Sequence, residues 1–393
     1  MDSLIPFAPS IRAQALPENF FALLEEKISS LQAAGKDVIR LDVGSPDLPP
    51  PPDIIDRLVQ STRNPGHHGY QALRGPAALR QAWASFYAAQ FGVNLDTGTE
   101  ILPLIGSKAG IFNFINTWAE PGCVVLIPDP GYMTYTRATL FAGAEPFFMP
   151  LDPQNGFLPD LSAIPIDVLK RTRMLWLNYP NNPTAAVADL AFLAKAVALA
   201  KEHGFWVCHD AAYSMVTFEG YRAPSLLEIP EAKQVSVEFN SLSKSHNMAG
   251  WRVGVVAGNA QAIRPLARLE VNMNSGHFLP VMDAATLALT GDQGWMAERN
   301  EIYRRRRDAA LRGLAALGIS LKPPCGSIYL WCPLPSGWKS LDFVMQVLET
   351  TGVSFTPGTV FGQGGEGYFR ISLTIDENRI AEAMLRLRFW RKE

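Results

Sequence analysis

The chain has 393 residues, 48% of them hydrophobic and 18% charged, with a formal net charge of -2. That length can bury a large core and suits two domains or one large domain with an appendage, and the near-neutral charge gives no general electrostatic reason to expect nucleic acid or an anionic membrane as a partner. Cys123, Cys208, Cys325 and Cys332 form no CxxC pair and no metal-ligand spacing with the histidines, which argues against a disulfide framework and a metal site; Cys208 lies in an apolar run and reads as core.

At the N-terminus there is no basic start followed by a long apolar stretch, and nowhere do roughly 18 apolar residues run consecutively, so the cytoplasm is the default compartment. "ENFFALLEEKISSLQAAG" has helical spacing and a closing glycine, and the prolines of "LPPPPD" at 48–53 impose an extended connector. Residues 1–53 are expected to form an N-terminal arm and part of a small domain. From 54 to 285, short apolar runs alternate with longer amphipathic ones: "ILPLIG" then "AGIFNFINTWAEPG", "CVVLIP", "RMLWLN" then "DLAFLAKAVALAKEHG", and "FWVCHD". That alternation predicts βαβ units and a mostly parallel sheet covered on both faces, a large α/β domain. "QVSVEFNSLS" and "GWRVGVVAG" read as two further strands.

Over 286–393 the pattern changes. "YRRRRD" at 303–308 sits in a helical pattern that continues through "AALRGLAAL" and reads as a solvated helix face. "SIYLWC", "GVSFTPG" and "GYFRISL" are strand-like and lead into the helix-like "DENRIAEAMLRLRFW", as in a smaller α+β domain. "GQGGEG" matches a dinucleotide fingerprint, but a strand follows where the fingerprint needs a helix, so a Gly-rich hairpin or flexible loop is expected. There is no internal repeat and no low-complexity segment.

In open α/β sheets ligands bind beyond the carboxyl ends of the strands, so the residues after each apolar run matter most. After "ILPLI" comes "GSKAGIF", which suits a phosphate held at a helix N-terminus, although Ser107 could equally cap its own helix. "PDPGYMTY" presents Tyr132 and Tyr135, and "NYPNNPTAA" is a proline-stiffened loop of asparagines. Asp210 in "HDAAYSM" ends a buried strand and needs a positive partner, either an arginine or a protonated ring nitrogen. In "SLSKSHNMAGWRVG", Lys244 lies between two apolar strands; a lone lysine is ordinarily a solvated charge, but shielding here would favour the neutral amine that attacks a carbonyl. A phosphate cradle, a flat aromatic, an amide, an acid and a lysine capable of a Schiff base together fit pyridoxal 5′-phosphate.

These residues resemble the fold-type I pyridoxal-phosphate aminotransferases of class I/II. The likeness runs from "LDVGSPD" to "YFRISLT", with the motifs in order. The resemblance implies a mostly parallel seven-stranded sheet flanked by helices, plus the smaller α+β domain. It assigns Lys244 as the attachment point of the cofactor and the group that moves the substrate's α-proton. It pairs Asp210 with the pyridine nitrogen, sets Asn182 and Tyr213 on the ring hydroxyl, and stacks Tyr132 on the ring. Ser107, Lys108, Ser241 and Arg252 would hold the phosphate. Tyr70 of "HGYQALRG" would reach the phosphate of a neighbouring subunit, which implies a homodimer, and Asn272 and its neighbours are candidates to complete that shared site. Arg370 would clamp the substrate carboxylate, with Gly44 close by. Ala185 stands where the family's "NPTG" has glycine, which is tolerable where φ is negative.

"YPNNPTAAVA", "SKSHNMAGWRVG" and "TPGTVFGQGGEGYFRISLT" look most like bacterial LL-diaminopimelate aminotransferases, which implies that substrate with 2-oxoglutarate as acceptor. Two departures from that pattern bear on the far end of the substrate: Ala109 replaces a glutamate and Asn274 an aspartate. Alanine, aspartate and aromatic amino acids stay open as substrates, and so does a carbon–sulfur β-lyase using the same cofactor. A non-enzymatic ligand sensor would need a DNA-binding module, for which the residues before the arm leave no room.

Overall fold

The computed structural model describes residues 8–390 other than Asn19 and Leu73. Residues 1–7 of the expected arm, 391–393 of the expected C-terminal region, and Leu73 of "HGYQALRG" lie outside the described residues. The strands are β1 (Ile39–Arg40), β2 (Ile101–Leu104), β3 (Val124–Asp129), β4 (Glu145–Pro150), β5 (Thr172–Asn178), β6 (Trp206–Asp210), β7 (Ser236–Ser241) and β8 (Gly254–Gly258), followed by β9 (Tyr329–Pro333), β10 (Val353–Ser354), β11 (Thr356–Pro357) and β12 (Tyr368–Ser372).

Seven of these form one sheet in the order β2-β8-β7-β6-β5-β3-β4. β4, β3, β5, β6 and β7 pair in parallel, whereas β8 is antiparallel to both β7 and β2. Two reversals restore direction, so β2 points the same way as the parallel set. All strands of the sheet except β8 therefore deliver their carboxyl ends to one edge.

Both faces are buried, with the period of two that a covered strand requires. Along β3, Val125 and Ile127 join a core with Phe114, Trp176 and Phe239, while Val124 and Leu126 join another with Leu193, Ala196 and Val207. Cys208 is fully buried in the first core, as packing predicts. The helix Leu190–His203 is fixed at its start by Asp189, which accepts from the Phe192 N–H at 2.8 Å, and at its end by Gly204 at φ 75°. Strand β4, "EPFFMP", went unread because it carries two prolines; it lies at the sheet edge, where missing donors cost least.

The C-terminal segment builds an antiparallel sheet of β11, β12 and β9, while β1 crosses from the N-terminal segment to pair in parallel with β10. The helices Trp295–Ala316 and Glu377–Trp390 close a core that includes Tyr303, Phe355, Phe369 and Ile380.

One expectation is corrected in part. The basic run is a solvated face only in part: Arg305 is exposed, but Arg306 and Arg307 are only 4% and 2% exposed. Arg306 makes a two-pronged pair with Asp47, 2.7 Å on each arm, and Arg307 pairs with Glu219 at 2.6 Å and Asp308 at 2.8 Å. Charge in the sequence does not reveal that acidic partners from distant segments wait on the buried side of the helix. "GQGGEG" lies in the connection between the antiparallel neighbours β11 and β12, so the Gly-rich hairpin reading holds. It follows the 3₁₀ turn Gly358–Phe361 with a second, Gln363–Gly365, and the Gly364 N–H donates to Asp129 Oδ1 at 3.0 Å, docking the segment against the end of β3. Among the described residues, no helix is long and apolar enough to cross a membrane.

Candidate active site

The carboxyl edge opens onto a cavity of about 560 Å³. Ser107, Lys108, Tyr132, Asn182, Asp210, Tyr213, Ser241, Lys244 and Arg252 line it from the large sheet's side, with Gly44 and Arg370 arriving from the two ends of the chain. Of the residues singled out in the sequence, Tyr70 is not brought there: it is 92% exposed. Ala109, Asn272 and Asn274 are also not among its lining residues. Asn274 instead donates to Glu270 at 2.8 Å, and Glu270 accepts from Asn113 at 2.8 Å.

The turn from β2 into the helix Ser107–Trp118 resolves one open choice. The N-cap is Gly106, at φ 79° and without a side-chain cap bond, so Ser107 does not cap its helix, and it lines the cavity. A side chain at position 106 would strike the Arg252 guanidinium, so glycine is needed for close approach as well as for φ. Arg252, itself left-handed at φ 59°, is held by Ala249 O at 2.8 Å. Burial pushes the Lys108 ammonium below its usual range, helped by Arg137 and Arg252. Cations, hydroxyls and a helix N-terminus thus converge as an anion receptor. Ser241 caps the turn Leu242–Ser245 by accepting from the Ser243 N–H at 3.1 Å.

At the end of β6, Asp210 is buried and accepts from the Tyr135 hydroxyl at 2.8 Å and the Ala212 N–H at 3.3 Å. Burial raises its pKa, and those two donors oppose the rise. Among the described residues no arginine or lysine pairs with it, so the arginine alternative falls away and the acid is still owed a positive group. Tyr135 stacks on Trp176 with ring centroids 5.0 Å apart, while Tyr132 meets Tyr135 edge-on at 5.7 Å. Burial lifts the Tyr132 phenol to about 12, keeping it neutral.

Arg370 lies on β12, 3% exposed, with Asn182 Oδ1 at 2.9 Å, Asp42 O at 2.8 Å and Thr356 Oγ1 at 3.3 Å as acceptors. No carboxylate neutralises it among the described residues, and its Nε is unpaired. The guanidinium rests over the rings of Tyr329 at 4.1 Å and Phe361 at 4.8 Å. Tyr329 also meets the Tyr213 hydroxyl at 3.0 Å, and any side chain on Gly44 would collide with it.

Lys244 donates from Nζ to Gly44 O. Burial, then the charges of Arg370 and Arg252, pull its pKa down to about 8. Its main chain is held by Arg299, which donates to Lys244 O at 3.0 Å, to Ser245 O, and to Met215 O at 2.6 Å. Sequence reasoning missed Tyr329 and Arg299: in "SIYLWC" and "MAERNEI" they look like an ordinary core tyrosine and an ordinary surface arginine. Ala185 is a correction of another kind. Its φ is +58°, not negative, so the alanine sits where glycine is usual.

A fold-type I sheet whose carboxyl edge gathers a lysine, an unpaired buried acid and an anion receptor defines a pyridoxal-phosphate enzyme. Residues 36–387 match the model of the aminotransferase class I and II family, and the chain belongs to that family. It is 48% identical to the LL-diaminopimelate aminotransferase of Moorella thermoacetica, over 96% of this chain and 97% of that protein. To the enzyme of the same name from Desulforudis audaxviator it is 47% identical, over 97% of both. Among solved structures, substrate-bound BacF from Bacillus subtilis superposes with a TM-score of 0.94 at 36% identity, covering 98% of each chain. A Thermus thermophilus aspartate aminotransferase double mutant does so at 0.90 and 28%, covering 98% of this chain and 99% of that one. The protein is a pyridoxal-phosphate-dependent aminotransferase, moving an amino group between an amino acid and a 2-oxo acid.

Proposed function

We propose that the amino donor is LL-diaminopimelate and the acceptor 2-oxoglutarate, and that the chain works as a cytoplasmic homodimer. The similarity over nearly the whole length to enzymes named for that donor carries the substrate reading. The exposure of Tyr70 at 92% leaves its ring uncovered by its own subunit, which suits the contact to a neighbouring subunit that the resemblance implies. Residues 54–285 would form the large cofactor-binding domain and 286–393, with part of 1–53, the small one.

The residues fit the cofactor. Asp210, buried without a cation, supplies the acid that keeps a ring nitrogen protonated; Ser107, Lys108, Ser241 and Arg252 suit a phosphate. Asn182 and Tyr213 line the same cavity and would offer an amide and a phenol to the ring hydroxyl, with Tyr132 offering a ring face. Bound there, pyridoxal phosphate supplies an aldehyde and an electron-withdrawing ring that acidify the substrate's α-hydrogen. Arg370 orients the substrate by taking its α-carboxylate in a planar fork beside Gly44. Lys244, its ammonium destabilised by burial, would be the base that takes the substrate's α-proton at Nζ and the acid that gives a proton back on the cofactor's side of the amino nitrogen.

The test is an absorbance titration of the cofactor-loaded protein with LL-diaminopimelate, glutamate, alanine, aspartate and phenylalanine. Conversion by LL-diaminopimelate and glutamate alone is expected. An inert response to LL-diaminopimelate with conversion by alanine, aspartate or phenylalanine would overturn the substrate reading.

A further inference from the structure

The cavity's charged residues are Glu25, Arg40, Asp42, Lys108, Asp210, Lys244, Arg252 and Arg370. The roles proposed above use Lys108, Asp210, Lys244, Arg252 and Arg370. Three remain, and they form one cluster. Arg40 grips buried Asp42 with two parallel bonds, from Nε and Nη2, each 2.8 Å, and its Nη1 reaches Glu25 Oε2 at 2.9 Å. The cluster is fastened to the carboxylate end of the cavity, because Asp42 O accepts from Arg370 and Gly44 O accepts from Lys244. Arg40 is four residues from Gly44, so an extended chain puts their Cα atoms within about 14 Å. An arginine side chain and a long amino-acid substrate together can close that gap.

We propose that Arg40 and Glu25 are the specificity pair that reads the far, zwitterionic end of the substrate: Arg40 takes its distal carboxylate and Glu25 its distal ammonium. This rests on the LL-diaminopimelate reading and names residues for it. The two carboxylates bound to Arg40 are not equivalent. Asp42 is 1% exposed and locks the guanidinium plane, whereas Glu25 is 59% exposed and sits on a separate element, the helix Phe20–Ala33. The three bonds leave Arg40 further N–H donors. Binding a distal amino-carboxylate then exchanges one ion pair for two without adding net charge to the pocket: Glu25 leaves Arg40 for the ammonium, and the substrate carboxylate replaces it. An acceptor with only a far carboxylate uses Arg40 alone, and Glu25 turns to water. The positions that the sequence flagged for this task, Ala109 and Asn274, do not line the cavity, and of its three carboxylates Asp42 and Asp210 are buried, which leaves Glu25 as the exposed one among the described residues.

The exposed Glu25–Arg40 contact contributes little to folding, so Glu25→Gln tests recognition with the fold kept. KM would be measured for LL-diaminopimelate and L-glutamate, alongside calorimetric Kd values on a Lys244→Ala background that cannot turn over. Glu25→Gln is expected to raise both constants for LL-diaminopimelate about tenfold, as loss of one charge-assisted hydrogen bond does, with L-glutamate changed less than about twofold. Arg40→Lys is expected to weaken both ligands. Unaltered LL-diaminopimelate constants in Glu25→Gln, with a wild-type enzyme that does convert that substrate, would overturn the pair alone. A wild-type enzyme that leaves LL-diaminopimelate untouched while converting other amino acids would overturn the substrate reading, and the pair with it.

Discussion

Arg370 Nη1 lies 2.9 Å from Asn182 Oδ1, so a side chain of the C-terminal sheet and one from the loop after β5 are hydrogen-bonded across 188 positions of sequence. The bond fixes the guanidinium plane, and the rings of Tyr329 and Phe361 hold its faces. Arg370→Lys keeps the charge but loses the fork. Losing one or two charge-assisted bonds to the carboxylate should lower kcat/KM about 10²-fold, mostly through KM. A KM unchanged for every amino acid would remove Arg370 from carboxylate binding.

Tyr135 is the side-chain donor that steadies Asp210. Burial raises the Asp210 pKa and this bond opposes it, so Tyr135→Phe should push the acid further towards its neutral form. The ring and its stack on Trp176 survive the change. Weaker pyridoxal-phosphate binding in a fluorescence titration and a kcat about tenfold lower are expected, the scale of one hydrogen bond to a charged group. Wild-type values for both would separate Tyr135 from the cofactor's acid.

Cofactor attachment to the apoprotein should follow the neutral fraction of Lys244. That fraction grows as pH rises, and with a pKa near 8, set by burial and then by Arg370 and Arg252, the attachment rate should climb through about pH 8 and then level off. Arg370→Met removes a positive neighbour and should move the climb to higher pH. Lys244→Ala should abolish turnover with the thermal midpoint nearly unchanged. A climb centred near the ordinary lysine value would show that the amine is not shielded.

Ala185→Gly should be close to neutral for stability although Ala185 is at φ +58°. Left-handed backbone costs an alanine about 1–2 kcal/mol. Glycine would relieve that, but it gives up about 0.5–1 kcal/mol in unfolded-chain entropy and about 0.8 kcal/mol of buried methyl. Urea unfolding within about 1 kcal/mol of wild type is expected; a gain of several kcal/mol would mean that the strain is not offset.

Periodicity and strand-end chemistry were enough to read the βαβ alternation of the large sheet and to point at Ser107, Asp210, Asn182 and Lys244, because a strand's buried run and the polar residue that ends it are neighbours in sequence. What could not be read was set by contacts between distant segments. Asp47 and Glu219 draw Arg306 and Arg307 inward, Tyr329 couples Tyr213 to Arg370, Arg299 clasps the main chain of Lys244, and the Arg40–Glu25 pair comes to the cavity on the crossing of β1 to β10. Local order along the chain sets which residue types close each strand. Which charges are buried and which side chains meet is settled by the folded arrangement, because burial and hydrogen-bond partnership depend on elements that the chain brings together only after long connections.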